Sequence, residues 1–416
     1  MSKHNGLTRR RVLGAGAAAA GLAGLPFKAL AATDINYWHH FTSQTEIAGM
    51  VEIMRLFQAA NPDVSVTQEN IPNADYMAKF TSAVIANSRP DTAMVSPERL
   101  PDMVAMNGLV DLSDRVASWD KKDFYSDDAW EGIDIDGKIY GVPAFSFVYW
   151  TYYRKDWFEE AGIESPPDTF EEMIEAAIKI TDPSKGRYGF SLRGGAGGQS
   201  SFIDVFDSFG GFIYEGSSVE MDIPKAVAAV RFYSDLFTKY KVAQPSAPAD
   251  SYRQMMEGFR TGQTGMVWHH TGSLTEILGA LSPDQVGTAL RPAGPHTRIA
   301  RVKYQYNGVS NDQSLDQSWD WTSYWGDVDA AIALLEATGY FPATSEVSND
   351  PRITSNPLYQ AALDTLKIGA PTPKVVGFDG WSRNSMMSEF QKVLIGNSTP
   401  EEAVDAMART LDRETG

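Results

Sequence analysis

The chain of 416 residues has no cysteine, which excludes disulfides, thiolate nucleophiles and cysteine-built zinc or iron–sulfur centres. Histidine is scarce too, at six. Basic residues are outnumbered, 36 Lys and Arg against 53 Asp and Glu, for a net charge of −17. Such a surface repels phosphate backbones and anionic headgroups, so nucleic acid and membrane surfaces are poor partners. The one uncharged apolar run near the start, residues 12–25, is shorter than the roughly 20 residues that span a bilayer. There is no His-Glu-x-x-His, no Gly-x-Ser-x-Gly and no Walker loop. The letters of a dinucleotide fingerprint, Gly14-Ala15-Gly16-Ala17-Ala18-Ala19, follow no strand, and Asp134 and Asp136 lack the remaining positions of a calcium loop. No cofactor and no metal are expected.

What is present begins with "LTRRRVLGAGAAAAGLAGLPFKALA", a basic region, an apolar stretch and Ala29-Leu30-Ala31, the pattern of an export signal. Thr8-Arg9-Arg10-Arg11-Val12-Leu13 resembles the twin-arginine motif, and no cysteine follows to carry a lipid anchor. Removing residues 1–31 takes away five bases and no acid, so the net charge moves from −17 to −22. A periplasmic location is expected. The composition, 43% hydrophobic and 11% aromatic, is that of a folded protein, and the length calls for two domains.

Elements alternate from there on. "DINYW" reads as a strand, Ile47, Met50, Val51, Met54 and Phe57 recur at helical spacing, and "VSVTQEN" alternates as a strand. A helix over residues 76–86, a strand at "DTAMVS" and a helix over residues 100–106 continue an α/β rhythm. "IDIDGKIYGVP" is a hairpin turning at Asp136-Gly137. Capping boxes at Thr169 to Glu172 and Thr399 to Glu402 open two helices, the first with Phe170, Met173, Ile174, Ala177 and Ile178 inward and the second with Val404, Met407 and Leu411. "RGGAGGQSS", residues 193–201, is the internal stretch with most conformational freedom.

Residues 76–114 and 136–182, with "FRTGQTGMVWHHTGSL", "TGYFPA" and "GNSTPEEAVDAM", occur in the order in which similar segments occur in the extracellular solute-binding proteins of ABC importers. The chain resembles that family, in its maltose-binding-like group, from about Asp34 to the last helix. The resemblance implies an α/β periplasmic binding fold of two lobes with a hinge and a ligand cleft between them. One lobe would comprise residues 33–142 plus 302–345, the other 146–298 plus 350–416. It further implies a monomeric receptor that passes a carbohydrate to a permease, without catalysis. Arg154 stands where the family usually has asparagine, and no role is transferred there.

Trp-His-His occurs twice, in "NYWHHFTSQ" and "GMVWHHTGS". Adjacent strand residues point to opposite faces, so neither pair readily chelates one ion. Each pair instead ends a strand whose carboxyl end would face the cleft. One of His39 and His40 is expected to reach ligand, with His40 the candidate, and Gln44 follows in the same loop; Trp38 belongs to the core. Ser96 and Glu98 follow the strand "DTAMV", where a carboxylate can accept from hydroxyls or can simply favour a helix N-terminus. Ser146, directly after the expected hinge, corresponds to a contact in the glycerol-phosphate branch. Gly194, Gly195 and Gln199 offer amides and an amide side chain, or form a surface loop. Thr271, Gly272 and Ser273 open a helix whose positive end attracts oxyanions, or merely cap it. Asn307, Gly308 and Tyr340 match further contact segments. Trp381 offers a flat face for a sugar ring, and Arg383 falls on a phosphate-gripping arginine of the glycerol 3-phosphate receptor, with an ion pair to a nearby acid as the competing role. Arg383, the histidines and the Thr271 helix end favour an anionic sugar or glycerol conjugate, such as sulfoquinovosyl glycerol or glycerol 3-phosphate. A neutral mono- or oligosaccharide is the alternative, and a metal- or cofactor-loaded periplasmic enzyme is the alternative of another class.

Overall fold

The computed structural model describes residues 33–299, 301–345, 350–366, 368–369 and 372–415. The expected export signal lies outside them. Strands β1 (Thr33–His39), β2 (Val64–Asn70) and β3 (Thr92–Val95) alternate with helices Gln44–Ala60, Tyr76–Ile85 and Leu100–Ala105. β1 lies between β2 and β3 and runs parallel to both. The hairpin follows as β4 (Asp134–Ile135) and β5 (Lys138–Ile139), and Asp136 and Gly137 both take the positive φ, 54° and 79°, that its tight turn requires.

β6 (Val142–Arg154) is the long element on which the molecule is organised. A small hairpin, β7 (Phe212–Glu215) and β8 (Ser218–Met221), precedes β9 (Met266–His270), β10 (Val286–Ala289), β11 (Val302–Val309) and the short β12 (Phe341–Pro342). Up to Val148, β6 pairs with β11 and β12; from Tyr149 onward it pairs with β9 and β10, all antiparallel. One strand therefore serves two halves, and it changes partners without a break. The first half packs β1, β3 and helix Gln44–Ala60 around Tyr37, Ile53, Phe57 and Trp321, with a second group around Tyr76, Phe80 and Met103. The other half packs helices Phe170–Ile180, Gln199–Phe209, Ile223–Thr238, Met387–Leu394 and Pro400–Thr415 around Phe190, Phe202, Trp268 and Phe390. A cluster that includes Val148, Trp150 and Phe341 bridges them at the crossing.

Both capping devices form, with a difference between them. At Thr399 the exchange is reciprocal, its N–H donating to Glu402 and its hydroxyl accepting from the Glu402 N–H. At Thr169 the hydroxyl accepts from the Glu172 N–H, but the Glu172 carboxylate reaches back to the Asp168 N–H. Val404, Met407 and Leu411 are buried as the spacing requires. Two of the expected stripes are rotated. Val51 and Ile178 are exposed, and the inward faces are Gly49, Met50, Ile53 and Phe57 in one helix and Phe170, Met173, Ala176, Ala177 and Ile180 in the other. Small residues face the core there because neighbouring backbones approach closely, which spacing of large apolar residues alone does not reveal.

Candidate functional site

The carboxyl ends of β1 and β3, the middle of β6 and the end of β9 converge on a cavity of ≈ 290 Å³ between the two halves. That places it at the low end of cavities that hold small-molecule ligands, roughly 300–1,000 Å³. One wall is aromatic. Phe145, Phe147 and Tyr149 alternate along β6 and so project to one face. Tyr340 stacks on Phe145 with ring centroids 4.6 Å apart and stands 5.6 Å from Phe147. Its hydroxyl donates to Glu46 at 2.5 Å, and the other Glu46 oxygen accepts from the N–H groups of Thr42 and Ser43. Gly272 packs against the Tyr340 ring so closely that a Cβ there would lie 1.9 Å from it.

The facing wall is polar. Glu98 lies 3.7 Å from Lys303 and 4.0 Å from Arg383. Burial pushes its carboxyl up, but Lys303, Arg383 and Arg99 outweigh that and hold it down at about 2. Glu98 Oε2, Gln199 Oε1, His40 Nδ1 and His270 Nδ1 are buried and have no hydrogen-bond partner among the described residues. Two of these four are obligatory acceptors, which call for hydroxyl or amine donors from a guest. Arg193 completes the wall. Its Nε donates to Ala196 O at 2.8 Å, and no carboxylate among the described residues lies within 4.0 Å of its guanidinium. Burial lowers its pKa to about 10, still well above neutrality.

The first histidine pair divides as strand geometry requires, and the second does not. His39 turns away from the cavity to Gln68, 2.6 Å off, and accepts from the Phe41 N–H, whereas His40 faces the cavity. His269 and His270 both line it, with His269 Nδ1 2.7 Å from Ser273 Oγ. Burial, with Arg99 beside His40 and Arg193 beside the other two, pushes all three far down, His270 to about 3. They are therefore neutral at pH 7 and supply no charge to attract an anion, a correction to the expectation from sequence. Trp38 and Trp268 sit in the cores.

Of the expected site residues, His40, Ser96, Glu98, Gln199, Gly272, Tyr340 and Arg383 line the cavity. The others lie elsewhere for identifiable reasons. Gln44 is exposed on the first turn of its helix. Ser146 sits within continuous β6 with its hydroxyl towards Pro342 O. The N–H groups of Gly194 and Gly195 are spent on Ala247 O and Asp250 O, so neither amide is free for a ligand. Thr271 is fully buried behind Gly272, and Ser273 supports His269 from below. Asn307 is buried against the Tyr37 hydroxyl at 2.7 Å, and Gly308 packs on Tyr140 O. Trp381 is wholly buried, its indole N–H donating to Thr410 at 2.9 Å, so its face is unavailable to a sugar. The aromatic side chains that do line the cavity include Phe145, Phe147 and Tyr340, of which Phe145 and Tyr340 are themselves largely buried.

Arg383 reaches the cavity already occupied: its Nε is 2.8 Å from both oxygens of Asp379, and its NH1 donates to Asn73 at 3.0 Å. Lys303, Arg193, Tyr149, Tyr252 and Asn73 line the cavity unforeseen. Sequence signals exist for two of them, Tyr149 and Lys303. The aromatic alternation "AFSFVYW" marks one face of a strand, and in "VKYQYNG" Lys303 and Gln305 share a face between tyrosines.

Comparison with known proteins places this geometry. Residues 42–324 match the model of the bacterial extracellular solute-binding proteins. The chain belongs to that family. Its members are binding proteins, and nothing in the match points to a catalytic family. A putative binding protein of Brucella abortus (strain 2308) is 23% identical over 371 residues, covering 87% of this chain and 88% of the relative. The maltotriose-binding protein of Pyrococcus abyssi is 23% identical over 333 residues, 77% of this chain and 69% of that protein. In structure, a solute-binding protein from Thermotoga lettingae bound with alpha-D-tagatose superposes with a TM-score of 0.84 at 21% identity, over 92% of this chain and 100% of the other. That likeness shows the two-lobed periplasmic binding fold.

Proposed function

We propose that this family member captures a small sugar or sugar–glycerol conjugate bearing one anionic group, closes over it and delivers it to the permease of an ABC importer. The observation that carries this is the composition of the cavity: an aromatic wall for a ring, buried acceptors at Glu98 and Gln199 lacking donors, and Arg193 lacking a carboxylate. A sugar ring meets the first, its hydroxyls the second and an anion the third. Relatives whose names or bound ligands are sugars support the carbohydrate class. Closure is a population shift, because a ligand that touches both halves binds the closed form better. Export through the twin-arginine route, and a monomer in the periplasm, accompany this reading.

Micromolar affinity corresponds to about −8 kcal/mol, within reach of several hydrogen bonds and one stacking face after ordering costs. A thermal-shift panel of neutral sugars and polyols against their phosphates and sulfonates tests the proposal. A true ligand at 100 times its dissociation constant stabilises by about 2.7 kcal/mol. Glycerol 3-phosphate and sulfoquinovosyl glycerol belong in the panel. The expected result is a hit among the anions, weakened by salt and lost in Arg193→Ala, with Arg383→Ala weaker still than wild type. A neutral hit indifferent to salt would establish the second reading, a neutral mono- or oligosaccharide receptor. The matching of Lys303 and Arg383 by Glu98 and Asp379 favours that second reading.

A further inference from the structure

The two halves touch directly at a polar contact that involves no ligand. From the half built on β1 to β3 come Asn73, Arg99 and Asp102; from the other come Gly377, Asp379 and Arg383. Asn73 Oδ1 accepts from Arg99 at 2.8 Å and from Arg383 at 3.0 Å, so one side-chain oxygen joins a cation of each half. Asp379, already paired with Arg383, stands 3.8 Å from Arg99 across the gap. The Gly377 N–H donates to Asp102 at 2.7 Å. Arg99 is 1% exposed and lies over the Tyr76 ring at 5.1 Å. Two of its guanidinium nitrogens have no hydrogen-bond partner among the described residues, and the acids that balance this otherwise costly buried cation are Asp379 across the gap and Glu98 in its own half.

We infer that these six residues form an interlobe clasp that holds the cleft shut independently of the ligand, and that Arg383 is a positioning residue of this clasp. It follows that the ligand-free protein populates the closed form. Separation of the halves would break the Arg99–Asp379 and Asp102–Gly377 contacts and release one partner of Asn73 to water, while leaving Arg383–Asp379 intact within its own half. The clasp therefore discriminates between closed and open forms through Arg99 and Asp102, which do not line the cavity, and through Asn73, which does. It also gives Arg383 a role that holds for a charged or a neutral guest alike. The inference rests on the halves moving apart, and not on the charge of the ligand.

The chain lacks cysteine, so paired nitroxide labels can be placed at will. Ile85→Cys and Ile395→Cys occupy exposed positions, 82% and 58%, on opposite halves. Pulsed electron resonance on the ligand-free protein is expected to give two distances, one matching the closed structure. In Asp379→Asn and in Asp102→Ala the closed-to-open ratio is expected to fall about tenfold or more. Asp102→Ala removes a half-buried acceptor and leaves the buried ion pairs in place, so it keeps the test decisive if Asp379→Asn fails to fold. A ligand-free wild type found only open, or variants that keep the wild-type ratio, would overturn the clasp. A single distance unaltered by ligand, substitution or salt would instead mean that the halves do not move, and would remove the closure mechanism itself.

Discussion

Replacing Gly272 by alanine puts one methyl group where the Tyr340 ring already lies, 1.9 Å from the new carbon. No rotation of a flexible side-chain tip relieves this, because the obstruction is a ring wedged between Phe145 at 4.6 Å and Phe147 at 5.6 Å. The ring must move or the halves must part. Moving it breaks the hydrogen bond to the Glu46 carboxylate, a charged acceptor, at a cost of about 1.5–3 kcal/mol. Loss of the stacking adds about 0.5–1.5 kcal/mol. Separating the two halves relieves the clash, so the closed form is penalised by about 2–4 kcal/mol. That corresponds to about a 30- to 1,000-fold loss of affinity for any ligand held by closure. The assay is isothermal titration with the best compound of the thermal-shift panel, alongside urea unfolding of the ligand-free protein. Wild-type affinity in Gly272→Ala would refute the reasoning, as would a urea midpoint that falls in proportion to the affinity, since the damage would then be to folding rather than to closure.

Further outcomes follow from the same structure. Glu98 is held at about 2 against an ordinary value of 4.5, so its contribution is fully present above pH 4.5 and is lost as pH falls through about 2; acid unfolding should cost wild type on the order of 3 kcal/mol more than Glu98→Gln over that window. Asp204→Asn leaves the buried cations Arg291 and Arg301 undercompensated and should destabilise by about 3–5 kcal/mol in urea titrations, with no selective effect on binding. Gln199→Ala, which removes a buried acceptor offered to the ligand, should weaken binding by about 0.5–1.5 kcal/mol while thermal stability without ligand stays unchanged. Ser146→Ala, a hydroxyl facing Pro342 O rather than the cavity, should leave affinity within error of wild type.

The parts legible in the sequence are those set by local chemistry. Asp136-Gly137 names its own turn, Thr399 with Glu402 names a helix start, and the family order of segments implies the two-lobed fold. The site was legible only in outline, because the resemblance and the strand ends locate loops without saying which way each side chain turns. Gly194 and Gly195 were candidates for free amides, yet their N–H groups are satisfied by Ala247 and Asp250, partners more than fifty residues away. Trp381 was a candidate stacking face and Trp38 was assigned to the core, and tertiary packing buries both. Arg383 was open to a ligand or to an ion pair, and its partner Asp379, four residues earlier, gains its full significance only through Arg99 in the other half. Arg193 was overlooked for the converse reason: it sits in a glycine-rich loop, and its lack of an acidic neighbour is a property of the folded molecule alone.

The most direct test of the central claim is a crystal structure grown with the compound that gives the largest thermal shift. The account predicts that compound between the Phe147 and Tyr340 rings and the Gln199 and Glu98 side chains, its hydroxyls on those acceptors and its anionic group on Arg193. A ligand bound on an outer surface, or in the cleft with its charge turned away from Arg193, would contradict it.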